Sequence, residues 1–245
     1  MLEQALMLAG VACVAFLYAS VGHGGASGYL AVLALFGFAI VQMKSSALVL
    51  NLLIAAVSFW AFQRARHFEW KLFWPFAVTS VPFSFIGGFL TLSPKVYGLL
   101  LAGTLLYASV RLALARSGAE TAWTGPRLPV ALGAGAGIGL LSGMVGVGGG
   151  IFLSPLMILM DWADAKRVAA VSALFIWVNS LAGLAGYIAK GGSLPPWQWS
   201  LALAALAGGF AGAHLGANRF ESPTLKRLLA VVLLLAGWKL LKVSL

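Results

Sequence analysis

The feature that most constrains this chain is a cluster of glycines that occurs twice, each time between apolar stretches: Gly22-His23-Gly24-Gly25 and Gly146-Val147-Gly148-Gly149-Gly150. Glycine accepts positive φ and ends a regular helix without steric cost, so each cluster predicts a break inside a helical run. The surrounding residues repeat as well. Val21, Gly22, Gly24 and Gly25 recur 124 residues later as Val145, Gly146, Gly148 and Gly149, and Ser46-Ala47-Leu48 recurs at 126 as Ser172-Ala173-Leu174. Ser93-Pro94 and Leu99-Leu100 recur at 129 as Ser222-Pro223 and Leu228-Leu229. Order kept under slowly growing offsets is what loop insertions leave in a duplicated unit.

The breaks lie in a chain that is 61% hydrophobic and only 9% charged, against roughly a quarter charged in soluble domains. A polytopic membrane protein is the expected class. The runs at 72–91, 168–189 and 225–241 approach the roughly 20 residues a helix needs to cross hydrocarbon. The alternating strands of a closed barrel are not found, so the fold class is all-α. Further apolar segments fall at 3–20, 27–41, 47–62, 96–114, 129–144, 151–160 and 197–217, which gives five per half. The polar stretch 115–127 separates a first transmembrane repeat (1–114) from a second (128–245) and is expected to be a cytoplasmic linker.

The first two segments of each half total about 38 residues, too long at about 1.5 Å per residue for one crossing of a ~30 Å core, so a broken or re-entrant hairpin followed by three spanning helices is expected. That arrangement places 11 of the 16 Lys and Arg residues on one side and 5 on the other; a single broken span would split them 9 to 7. Basic loops stay in the cytoplasm, so 64–71 and 111–127 are expected inside and both termini in the periplasm of an inner membrane. The halves then have opposite topology, the inverted repeat of many secondary transporters. The net charge of +10 is read as orientation signal, with no nucleic-acid partner. Glu3 is the only early charge, and residues 1–21 are read as mature structure. The single Cys13 supports neither a disulfide nor a thiolate metal site, and no cofactor is expected.

A glycine break exposes backbone N–H groups at the start of the next helix, and these bind anions without a basic side chain. The candidate substrate-binding residues are therefore Gly22, His23, Gly24, Gly25 and Ser27 in the first half and Gly146, Gly148, Gly149 and Gly150 in the second, with Ser46 and Ser172 added as repeat equivalents. The competing reading of Gly is helix packing, which suits the other two runs, Gly135-Gly139-Gly143 and Gly208-Gly212-Gly216. Polar residues within the spans also include Asn51, Ser142, Asn179, Ser180 and His214. His23 could add charge or carry a coupled proton. No catalytic or metal residues are expected, and no nucleotide motif occurs at the glycine clusters. Valine at Gly24 or Gly149 is expected to remove binding while leaving the fold intact.

The run Gly146-Val-Gly-Gly-Gly-Ile-Phe-Leu-Ser-Pro155-Leu, the weaker copy Gly22-His-Gly-Gly-Ala-Ser-Gly and the Ser-Ala-Leu echoes resemble the sulfite exporter TauE/SafE family over nearly the whole chain. In the first copy His23 replaces a small apolar residue, and Ala26 and Ala31 stand where the second has Gly150 and Pro155. The resemblance implies a small polytopic transporter of sulfite, thiosulfate or an organosulfonate, with the lipid bilayer as its other partner; homo-oligomerisation and a coupling ion, a proton among them, stay open. Two rivals remain. A passive anion channel would use the same helix starts. A rhomboid-type serine protease would use Gly25-Ala-Ser27-Gly28 with His214 as base, although Ile151 stands in place of Ser27 in the second copy.

Overall fold

Apolar runs that cannot satisfy their backbone with water satisfy it internally, and the computed structural model is helical throughout the elements it describes. It describes residues 2–38, 40–90, 93–114, 125–194 and 199–219, with separate positions between 231 and 241. In the first half lie α1 (Leu2–Ser20), α2 (Ala26–Leu35), α3 (Ile40–Arg64), α4 (Trp70–Phe89) and α5 (Pro94–Leu114); α6 (Leu128–Val145), α7 (Gly150–Leu159), α8 (Ala165–Ala189) and α9 (Trp199–Asn218) follow. Among the described residues six spans are long and apolar enough to cross a membrane: α1, the Ser45–Arg64 part of α3, α4, α6, α8 and α9. Residues 115–124 of the expected linker, and most of the expected segment 225–241, lie outside the described residues.

Helices α2 and α7 are too short to cross. Each has ten residues, about 15 Å of helix against a ~30 Å core. Helix α2 turns back along α1, with Ser27 bonded to Tyr18, Gly28 against Val14 and Tyr18, and Gly10 against Val32. The hairpin inferred from length is therefore present in the first half, with a returning limb half a membrane long.

One boundary differs from expectation. The runs 27–41 and 47–62 read as two successive apolar segments, yet α2 ends at Leu35 and α3 has begun by Ile40. Gly37, at φ 77°, closes α2 as the Phe38 N–H bonds the Leu33 carbonyl, a left-handed stop that hydropathy does not register. Ser45 and Ser46 consequently fall inside α3. Such stops recur at a constant interval. Gly22, Gly25, Gly37 and Arg66 have positive φ, and so do Gly146, Gly149, Asp161 and Gly191, each 124 or 125 residues further on. The closing bonds repeat too: His67 to Phe62, Trp162 to Met157 and Gly192 to Tyr187 each span five residues, as Phe38 to Leu33 does.

Close helix crossings hold the bundle. Gly135, Gly139 and Gly143 of α6 lie against the backbone carbonyls of Phe76, Ser80 and Ser84 in α4, and Gly208, Gly212 and Gly216 of α9 against those of Ala12, Phe16 and Ser20 in α1. A Cβ at any of these would meet main chain that cannot swing aside, so both runs have the packing role read from the sequence. At the centre α3 and α8 cross in opposite senses, with Asn51 beside Ser180 and Phe62 clustered with Ala169. Helices α1, α3 and α9 thus run one way and α4, α6 and α8 the other.

Candidate binding site at the two glycine breaks

The left-handed glycines make α2 and α7 begin inside the bundle. Gly25 (φ 95°) and Gly149 (φ 80°) are their N-caps, and neither offers a side chain to the first free N–H groups. Each helix start carries about half a positive charge. What meets that charge differs between the two.

At α2 it is Asn51, fully buried near the middle of α3. The Ala26 N–H donates to Asn51 Oδ1 at 3.1 Å, while Asn51 Nδ2 donates to Ser180 Oγ at 2.8 Å and, at 3.5 Å, to the Val147 carbonyl. One amide thus touches the start of α2, the second glycine loop and α8. Gly24 and Gly148 are glycines because Asn51 lies against both: a Cβ on the first would overlap Oδ1, and on the second Nδ2 and Ser180 Oγ. Valine at Gly24 therefore has to displace Asn51, and at Gly149 it meets Phe175 at a positive φ, so both substitutions are expected to cost stability as well as binding.

At α7 no described side chain accepts from the N–H of Gly150 or Ile151. The hydroxyl of Ser142, buried beside Gly149, has no hydrogen-bond partner among the described residues. A buried polar atom of this kind is worth about 1–3 kcal/mol when unsatisfied.

A second chain of bonds links the halves. His23 Nδ1 lies 2.9 Å from the Val21 carbonyl and Nε2 lies 3.0 Å from Ser154 Oγ, which is 2.7 Å from Ser172 Oγ. A carbonyl only accepts, so in the neutral ring Nδ1 carries the proton and Nε2 accepts from Ser154. Ser58 donates to the His23 carbonyl at 3.5 Å, and the Tyr18 ring meets His23 edge-on. Gly22, Gly24, Gly25, Ser27, Gly146, Gly148, Gly149, Gly150 and Ser172 are all buried around this interior, with His23 half-buried at its edge. Ser46 is not joined to it: half-buried on α3, it makes no hydrogen bond to the described residues. Asn51 and Ser180 were visible in the sequence only as two of several polar residues in spans, and Tyr18 and Ser154 carried no signal beyond proximity to the motifs.

The protease arrangement is not assembled. Ser27 is buried in a 2.6 Å bond to the Tyr18 hydroxyl, whereas His214 is exposed and lines a cavity on the flank of the bundle.

A multi-pass helical bundle with two half-length helices starting from buried glycine turns defines a membrane protein built around discontinuous helices. The chain belongs to the sulfite exporter TauE/SafE family, whose match covers residues 6–240. It is 38% identical to a protein of Sinorhizobium fredii named probable membrane transporter protein y4hK, over 93% of this chain and 94% of that one. It is 30% identical over 107 residues to the probable membrane transporter protein YunE of Bacillus subtilis, covering 42% of this chain and 38% of that protein. No solved structure matches.

Proposed function

We propose that the protein is a secondary transporter that carries a small sulfur-containing oxyanion, sulfite, thiosulfate or an organosulfonate, across the bacterial inner membrane by alternating access. The moving parts are two inverted repeats, 1–114 and 128–245, joined by a cytoplasmic linker at 115–127, with both termini in the periplasm. Corresponding helices of equal length that run in opposite senses, α3 and α8 above all, support that division.

The observation that carries the reading is Asn51. Its amide oxygen occupies the place at the start of α2 where an oxyanion would sit, which marks the helix start as an acceptor site with no basic side chain. The second start, at α7, keeps its N–H groups and the Ser142 hydroxyl for a ligand. Ligand contacts are assigned to Gly146, Gly148, Gly149, Gly150 and Ser142, with Gly22 to Gly25, Ser27 and Asn51 forming the facing wall. The His23–Ser154–Ser172 chain is a route for a coupled proton, since protonation turns Nε2 from acceptor to donor.

Thermal stability of the detergent-purified protein against sulfite, thiosulfate, sulfate, short sulfonates, carboxylates and chloride tests this. A ligand at 100 times its Kd stabilises by about 2.7 kcal/mol. Shifts confined to the sulfur oxyanions are expected; equal shifts with chloride and carboxylates, or none with any anion, would refute the substrate assignment.

A further inference from the structure

Away from the breaks, a cavity of about 580 Å³ opens on the flank of the bundle where α3 and α9 lie side by side. Its lining changes along the helices. Val57, Trp60 and Phe210 make one part apolar, and Arg64, His214 and Asn218 line the end. Trp60 and Phe210 are each more than half exposed. The Arg64 guanidinium lies over the Trp60 ring, 5.2 Å from its centroid. On α3 the buried Asn51, Ser58 and Phe62 share one face, and Val57, Trp60 and Arg64 fall on another. The groove therefore faces outward from the bundle.

We propose that this groove binds one phospholipid with an anionic headgroup, its phosphate against Arg64 and His214 and an acyl chain along Val57, Trp60 and Phe210. Charge selects the occupant. Helices α3 and α9 both end here, and each C-terminus contributes about half a negative charge. Lys166 already answers that of α9 by donating its ammonium to the carbonyls of Gly216 and Ala217. Arg64 makes no ion pair among the described residues, while Glu69 and Asp164 at this end pair with Arg167. Arg66 and Arg219 follow directly in sequence. A second copy docked about a two-fold axis would set these cations against their own equivalents, and a zwitterionic headgroup would bring a cation of its own. An exposed tryptophan at the same level suits the headgroup boundary.

Native mass spectrometry of the delipidated full-length protein decides the matter, with phosphatidylglycerol, phosphatidylcholine of the same chains, and glycerol 3-phosphate as probes. Phosphatidylglycerol should bind about ten-fold tighter than phosphatidylcholine. Arg64→Gln and His214→Gln should each lower that preference several-fold, Arg64→Lys should largely keep it, and Lys190→Gln, at the other end of α8 from Lys166, should leave it unchanged. Ala213→Trp, which fills the groove, should weaken both lipids together. Equal binding of the two lipids, an unchanged preference in folded Arg64→Gln and His214→Gln, glycerol 3-phosphate binding as well as the lipid, or a protein dimer that excludes lipid would each overturn the proposal.

Discussion

The two glycine breaks share their turns but not their surroundings. At the first, Asn51 accepts from Ala26 and the Tyr18 phenol bonds the Ser27 hydroxyl, while the buried Tyr29 hydroxyl beside Gly25 has no partner among the described residues. At the second, the residue 124 positions after Tyr18 is Ser142, too short to reach across, and its hydroxyl has no partner among the described residues. Turns that recur at an interval of 124 residues can therefore be kept while the side chains around them differ. In the proposed carrier the first break anchors the crossing of α3 and α8, and the second offers donors to the anion.

The largest way to break this comparison is to fill the space Asn51 occupies between the loops. Gly148→Val meets Asn51, Ile176 and Ser180 at a positive φ, and a cost of about 3–5 kcal/mol is expected, enough to abolish the monodisperse peak in fluorescence-detected size exclusion. Gly37→Ala, also at positive φ but with open space around it, should cost only about 1 kcal/mol of backbone strain. Equal yields from the two would mean that Asn51 does not set the geometry of the breaks.

Asn51 itself comes next. Asn51→Leu leaves the Ala26 N–H and Ser180 without their partner, a loss of about 1–3 kcal/mol for each buried group left unsatisfied, read as a lower melting temperature. Asn51→Asp keeps an acceptor for Ala26 but places a carboxylate next to the proposed anion. It should lose anion-induced stabilisation while remaining folded, and retention of the full shift would separate Asn51 from the ligand.

Ser142→Ala sharpens the contrast at smaller amplitude. Removing a buried hydroxyl that has no partner should leave the melting temperature of the ligand-free protein within about 1 °C or raise it. Several-fold weaker binding of the stabilising anion is expected. Unaltered affinity would move the ligand to the first break, where Tyr18→Phe would then be the variant that matters.

Much of this was legible in the sequence because it rests on backbone demands that only glycine meets. The breaks and the packing glycines of α6 and α9 are positions where a Cβ would collide or φ is positive, so residue identity carries them. Where another residue satisfies the same demand, the signal is lost. Asp161 repeats the stop made by Gly37, and Gly191 that made by Arg66, so the structural interval stays at 124 or 125 while sequence matches drift to 126 and 129. The start of α3 differs for a related reason, since hydropathy runs on through the stop at Gly37 to residue 41 and resumes at 47, although α3 has begun by Ile40. Asn51 could not be singled out, because its weight comes from where α3 and α8 cross, a tertiary fact absent from any local pattern.

The smallest expected effect separates two serines that the sequence treats as equivalents. Ser172 is fully buried and holds Ser154 at 2.7 Å, and Ser154 in turn faces His23. Ser172→Ala leaves one hydroxyl short of a partner and should cost about 1 kcal/mol, together with a measurable loss of proton-coupled uptake if the chain from His23 conducts the proton. Ser46 has no such bond, and Ser46→Ala should fall within about 0.5 kcal/mol of the parent with uptake unchanged. Differential scanning fluorimetry and uptake by reconstituted vesicles on the paired variants would read both. Equal losses at the two positions would restore Ser46 to the site and imply that the halves exchange roles during transport, with the first break opening as the second closes. Unequal losses would keep the proton route in the second half, where His23 reaches across to α7 and α8.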